Sequence, residues 1–205
     1  MRIIAGLAKG RRISGPKSPL IRPVSDKVKG AIFNILSSLD GAFVLDLFAG
    51  SGSVGLEAIS RGANHAVFVD ASPQALALLQ KNIRQCGFEK QATIVRGRVP
   101  QIIGRLAQMP PLPCPPCHAG MAWSPSRGEG LFNFIFVDPP YDKNLVHPTL
   151  SALLANKLID AETLVIIEHS PREMPHCEGL TVADQRKYGQ TLITFMKRSL
   201  LCNSQ

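Results

Sequence analysis

At 205 residues, with 45% apolar and 19% charged side chains, the chain is long enough to bury one core and has the balance of an ordinary globular domain. No uninterrupted apolar run reaches the ~18 residues of a membrane span. No apolar h-region follows the charged first residues, so no secretory signal is expected and the cytoplasm is the expected compartment. The formal charge of +8 is uneven: residues 1–30 hold Arg2, Lys9, Arg11, Arg12, Lys17, Arg22, Lys27 and Lys29 against the single acid Asp26, a net of +7, and the other 175 residues sum to +1. Charge so concentrated suits a polyanion, because phosphate contacts release counterions. A solvated basic tail is the plainer alternative, weakened by Ile3, Ile4, Ile13 and Ile21 in the same stretch.

Along the chain, Val28, Ile32, Phe33, Ile35, Leu36 and Leu39 predict a helix over 27–39, with Ser25 or Asp26 as N-cap. Val44 to Phe48 reads as a buried strand, followed by a glycine-rich turn and a helix near 53–61. A second strand runs from Ala66 to Asp70, and a second helix from Pro73 to Cys86, proline sitting in its first turn. Ala92 to Val95 is a third strand, with a short helix over about 99–107. Phe134 to Val137 is a fourth strand, then come a helix near 146–156 and a fifth strand, Leu164 to Ile167. Apolar strands alternating with helices predict an α/β fold, a parallel sheet covered on both faces. Leu180 to Arg186 and Thr191 to Arg198, with no helix between, predict a terminal antiparallel hairpin.

Residues 108–130 interrupt the alternation with six prolines and three glycines, which predicts a surface insertion in a single domain of 1–205. Cys114-Pro115-Pro116-Cys117-His118 formally matches a c-type haem attachment site, but that needs an exported chain. A zinc site would need a second ligand pair, for which only His176-Cys177 offers itself. An incidental loop is the favoured reading, and no metal is expected. Five cysteines, an odd number, argue against a disulfide framework.

Gly50-Ser51-Gly52-Ser53-Val54-Gly55 follows a strand, opens a helix and precedes an acid, Asp70, by twenty residues: a literal G-x-G-x-x-G. Alone it would suit a nicotinamide or flavin dinucleotide. Charge decides otherwise. Asp46, Asp70 and Asp138 all lie at or near strand carboxyl ends, which converge on one crevice in an open α/β sheet. Three carboxylates repel a pyrophosphate and favour the sulfonium and ammonium of S-adenosylmethionine. Asp46 then serves the methionine end and Asp70 the ribose hydroxyls, although Asp46 as a mere cap of the next turn is the alternative.

Asp138-Pro139-Pro140-Tyr141 suits methyl transfer to an exocyclic base amine. Such a nitrogen is a poor nucleophile, its lone pair being delocalised into the ring. The Asp138 carboxylate and the Pro139 carbonyl can grip its hydrogens, consecutive prolines stiffen the turn, and Tyr141 offers a stacking face to an extruded base.

With Arg2-Ile3-Ile4-Ala5-Gly6, Lys9-Gly10-Arg11-Arg12, Ile21 to Lys29, Ile32 to Leu36, Asp46 to Gly52, Lys81-Asn82, Phe136 to Tyr141 and Tyr188-Gly189, the chain resembles the RsmD family over nearly its whole length. These are bacterial guanine-N2 methyltransferases of small-subunit (16S) ribosomal RNA. The resemblance implies a class I, Rossmann-like methyltransferase fold, a seven-stranded, mostly parallel sheet with a C-terminal antiparallel hairpin. It implies S-adenosylmethionine contacts at Asp46, Phe48, Gly50, Gly52, Asp70, Ala71, Arg98, Val99 and Asp138, and target contacts at Asp138, Pro139, Pro140 and Tyr141. RNA contacts fall on Arg11, Arg12, Arg22, Pro23, Ser25, Asp26 and Lys27, within a basic segment and helix over 1–40. The implied substrate is a partly assembled small subunit, met by a monomer. The chain departs from the family at Gly30, where glutamate is usual. It departs again at Arg98, where an Asp or Asn commonly accepts from the adenine amine; a cation cannot, which leaves that task to the Val99 backbone. Three alternatives are an adenine-N6 DNA methyltransferase, a dinucleotide oxidoreductase and a non-catalytic RNA-binding protein.

Overall fold

A computed structural model describes residues 1–15, 26–36, 38–109 and 132–199. Strands β1 (Phe43–Leu47), β2 (His65–Asp70), β3 (Ala92–Arg96), β4 (Phe134–Val137), β5 (Leu164–His169), β6 (Leu180–Tyr188) and β7 (Thr191–Arg198) form one sheet in the order β3-β2-β1-β4-β5-β7-β6. The first five strands are parallel, and β7 runs antiparallel to both β5 and β6. Helices are α1 (Asp26–Ile35), α2 (Ser53–Ser60), α3 (Pro73–Cys86), the single turn α4 (Ile103–Leu106) and α5 (Val146–Ala155). None of the described helices is long and apolar enough to cross a membrane.

Alternation along the strands divides the core in two. Val44, Phe68, Phe136, Ile166 and Phe195 pack with Ile32 and Phe33 of α1, Leu56 of α2 and Leu79 of α3. Leu45, Val69, Ile135, Val137 and Ile167 face the other way, against Ile103 of α4 and Leu150 and Leu153 of α5. Helices therefore cover both faces. The chain steps outward from β1 to β3 and returns to lay β4 beside β1. This reversal opens a crevice beyond their carboxyl ends, where ligands of such sheets bind.

Most boundaries fall within two residues of those the sequence predicts. The first helix ends at Ile35, earlier than the predicted Leu39, and Ile35 is exposed while Leu39 is buried beyond the helix end. Asp26 is its first residue; Ser25, the other predicted cap, lies outside the described residues. The helix expected over 99–107 shrinks to four residues. In α3 the Ser72 hydroxyl accepts from Ala75 N at 3.3 Å, with Pro73 following. Left-handed Gly87 ends that helix. The hairpin turn is the two residues Gly189-Gln190, since Tyr188 already pairs with Thr191.

Residues 1–15 are built into the domain, with Ile3, Ala8 and Ile13 buried in the core. Their anchor is Glu57, fully buried on α2: it accepts from Ile4 N at 2.8 Å and Ala5 N at 3.0 Å, and pairs with Arg61 at 2.8 Å and Lys29 at 3.4 Å. Lys29, also fully buried, donates to the Arg2 carbonyl at 2.8 Å. Burial holds its pKa below the ordinary lysine value against the opposing pull of Glu57 and Asp26. One of the eight cations counted toward a polyanion is thus internal. Asn82, buried on α3, fastens the far end by accepting from Ser14 N and donating to the carbonyls of Ser14 and Ser51, all at 2.9 Å.

Candidate active site

Asp46 is paired in register with Phe68 of β2 and Phe136 of β4. Residues two further along each strand share its face, which brings Asp70, Asp138 and, from β5, Glu168 to the same end of the sheet. All four carboxylates line one cleft of about 2290 Å³, together with Phe48, Gly50, Ala71, Arg98, Val99 and the Pro139–Tyr141 loop. A small-molecule pocket usually encloses roughly 300–1,000 Å³, so this cleft has room for a cofactor and a base together.

The glycine loop is shaped from both sides. Ala49 N donates to Val69 O at 3.0 Å and Gly52 N to Ala49 O at 2.7 Å. Gly52 caps α2 at φ 77°, and a Cβ there would strike Leu79. Gly55 lets α2 close on the strand, because a Cβ would enter the Phe68 ring and crowd the Asp46 carboxylate. Phe48 holds φ 61°, a left-handed conformation that a bulky side chain rarely adopts. This strained backbone turns the chain into the cleft directly after β1.

Asp46 and Asp70 both do structural work. Asp46 Oδ2 accepts from Gly55 N at 2.9 Å, and burial pushes its pKa up to about 7, with the Asp70 charge adding to the rise. The capping role weighed for Asp46 is therefore present, alongside its place in the cleft. Asp70 Oδ2 accepts from Gly50 N and Oδ1 from Ser72 N, each at 2.8 Å. Each oxygen keeps a second lone pair for a ribose hydroxyl.

The Asp138 carboxyl is pushed well above its ordinary value by burial, then by the charges of Glu168 and Asp46. Pro139 is buried and Pro140 exposed. The Tyr141 hydroxyl meets Glu168 Oε1 at 3.2 Å and Thr191 Oγ1 at 2.9 Å. Its ring is thereby fixed against β5 and β7 while remaining exposed. Burial, with Glu168 and Asp138, raises the phenol to about 12 against the opposing Thr191 hydrogen bond, so it stays neutral. Glu168 escaped the sequence reading: its one trace is an acid directly after the apolar run Leu164 to Ile167.

This chemistry suits S-adenosylmethionine. Four carboxylates around a glycine loop stabilise a sulfonium and an ammonium and oppose the pyrophosphate of a dinucleotide. Arg98 is exposed just after β3, with its carbonyl taken by Ile102 N at 2.9 Å, and Val99 is buried beneath it.

The residues expected to touch RNA divide. Arg12 is exposed. Arg11 is exposed too, but its guanidinium donates to the last carbonyls of α3, Gln85 O at 3.1 Å and Cys86 O at 2.7 Å. Asp26 lies 3.8 Å from Arg2. Arg22, Pro23, Ser25 and the Lys27 side chain lie outside the described residues, as does the Cys114–His118 stretch. Cys177, weighed as part of a second metal half-site, is buried 3.7 Å from the Ser151 hydroxyl.

Comparison with known proteins agrees with this geometry. Residues 1–111 and 119–197 match the family model described as "Conserved hypothetical protein 95". YlbH of Bacillus subtilis (strain 168), provisionally named an rRNA methyltransferase, is 31% identical over 201 residues, covering 97% of this chain and 99% of that one. Ribosomal RNA small subunit methyltransferase D of Escherichia coli (strain K12) is 32% identical over 169 residues, 82% of this chain and 74% of that one. Among solved structures, Escherichia coli YhhF, provisionally named a methyltransferase, superposes with a TM-score of 0.76 at 25% identity, covering 97% of this chain and 98% of that one. The chain belongs to the RsmD family of methyltransferases and has the S-adenosylmethionine-dependent, Rossmann-like fold of that family.

Proposed function

We propose that this protein methylates the exocyclic N2 amine of a guanine in small-subunit ribosomal RNA, with S-adenosylmethionine as donor. The observation that carries the reading is the Asp138–Tyr141 loop, set beside the glycine loop in one carboxylate-lined cleft. Ribosomal RNA as substrate is supported by the names of the relatives, and guanine N2 by the family resemblance.

Asp46, Asp70 and the Gly50–Gly52 backbone hold the cofactor, which when bound supplies an electrophilic methyl group. Positive charge in the cleft favours the ionised form of Asp138. Its carboxylate and the Pro139 carbonyl accept the two N2 hydrogens, which directs the nitrogen lone pair along the line of displacement. As the nitrogen–carbon bond forms and the methyl–sulfur bond breaks, its electron pair staying on sulfur, one N2 proton passes to Asp138. Tyr141, tethered at its hydroxyl, stacks on the base, and the exposed residues of segment 1–40 meet the RNA backbone. The substrate form we favour is a partly assembled small subunit met by a monomer.

Transfer of labelled methyl to small subunits, naked ribosomal RNA and DNA, followed by nucleoside analysis, tests the reading. N2-methylguanosine is the expected product, and Asp138→Ala should fold while losing at least ~100-fold in kcat, comparable with the loss of one transition-state hydrogen-bonding group. N6-methyladenine as product would establish the DNA-type alternative, and an active Asp138→Ala would remove Asp138 from the chemistry.

A further inference from the structure

Glu168 enters the cleft from the end of β5, and the transfer just described does not use it. Its Oε1 accepts from the Tyr141 hydroxyl, while its Oε2 is buried without a hydrogen-bond partner. Among the described residues three buried side-chain atoms are so left, and of their residues Glu168 alone lines the cleft. A buried carboxylate oxygen without a donor is costly, so it calls for an explanation.

Register supplies one. Val137 pairs with Ile167, so the next residues, Asp138 and Glu168, stand side by side on one face, on strands separated by about 4.8 Å. Two adjacent acceptors match two adjacent donors. Guanine presents its N1–H directly beside the N2 amine. Adenine presents a bare N1 lone pair beside its N6 amine. We infer that Glu168 selects guanine, its Oε2 accepting the N1 hydrogen while Asp138 and Pro139 hold the N2 amine; this assignment rests on the guanine-N2 reading. Adenine placed with its amine at Asp138 would set N1 against the Glu168 oxygen, acceptor against acceptor, and be rejected.

A role confined to orienting Tyr141 through Oε1 predicts a different pattern, and base substitution separates the two. With the methylated position mapped, small subunits are reconstituted with guanine or 2-aminopurine at that site. The analogue keeps the 2-amine and lacks both N1–H and O6. Wild-type kcat/KM should fall roughly 10- to 100-fold on 2-aminopurine, the range for losing one hydrogen bond to a charged group. In Glu168→Gln activity on guanine should fall by a similar factor and the preference between the two bases shrink to a few-fold. Tyr141→Phe should slow both substrates and leave the preference intact. A contribution from O6 would persist in Glu168→Gln, so an undiminished preference there overturns the assignment. So does a wild-type enzyme that accepts 2-aminopurine as readily as guanine, a result needing no variant to fold. A wild-type product other than N2-methylguanosine would instead defeat the guanine-N2 reading, and this assignment with it.

Discussion

Titration of Asp46 should link cofactor binding to pH. Burial raises its carboxyl from 3.8 to about 7, the Gly55 hydrogen bond opposing and the Asp70 charge assisting. The sign follows from the protons bound. Between about pH 4 and pH 7 the folded protein holds a proton that the unfolded chain has released, so stability falls as pH rises through that window. The limit is roughly three pKa units, or about 4 kcal/mol. A cation placed beside Asp46 reverses the burial penalty and expels the proton. The Asp46 contribution to S-adenosylmethionine affinity should therefore climb by up to ~10-fold per pH unit from about pH 5 to pH 7 and then level off. The cofactor amine stays protonated across this range, its type titrating near 7.7–8.0. Asp46→Asn keeps an acceptor for Gly55 N and cannot ionise. Calorimetric titration at about pH 6, in two buffers of different ionisation enthalpy, reads the protons directly. The wild type should release about one more proton on binding than Asp46→Asn, since protons released by any other group are common to both. Equal proton release and equal pH slopes in the two proteins would refute the coupling.

Two further predictions concern the N-terminal segment. Lys29→Ala leaves buried Glu57 short of one cation, which costs about 3–5 kcal/mol for a broken buried pair, or on the order of 10 °C in Tm for a chain of this size; a melting curve within a degree or two of wild type would show the pair to be dispensable. Neutralising Arg12 or Arg22 should lower the slope of log K against log salt for RNA binding by ~0.7–0.9 for each phosphate that the protein then leaves unneutralised. Arg11→Ala should act mainly on Tm through the end of α3, and an unchanged slope in Arg12→Ala with Arg22→Ala would place the RNA surface elsewhere.

What the sequence made legible follows from the period of its elements. β1 to β5 are short apolar runs bounded by turn residues, and α3 carries both its signals, Ser72-Pro73 at the start and Gly87 at the end. Such features are local, and they appeared within a residue or two. The first helix was overextended because Leu39 continues the apolar spacing although the helix has stopped; Leu39 reaches the core from the following turn, and spacing alone does not distinguish the two. Glu57 and Lys29 were illegible for the opposite reason. A charged pair on two amphipathic helices reads as solvated surface until tertiary packing closes residues 1–15 over it.

Charge was legible as a sum and misleading as a sum. The +1 of residues 31–205 suggests neutrality, yet the cleft separates its charges by depth. Asp46 is buried, and Asp70, Asp138 and Glu168 are half-buried at strand ends, whereas Lys81, Arg98, Arg172 and Lys187 line the same cleft exposed. A carboxylate floor by itself would repel an RNA backbone as strongly as a pyrophosphate. For the proposed RNA substrate, cations on the same cleft would remove that conflict, because phosphates held at the rim would meet these exposed side chains while only an uncharged base passed to the acids below. The separation also bears on Arg98. Unable to accept from an adenine amine, it is exposed on the cleft that Lys81, Arg172 and Lys187 also line, which suits it to a phosphate contact. In the proposed function, cofactor recognition and RNA attraction would thus draw on opposite charges held at different depths of one cleft.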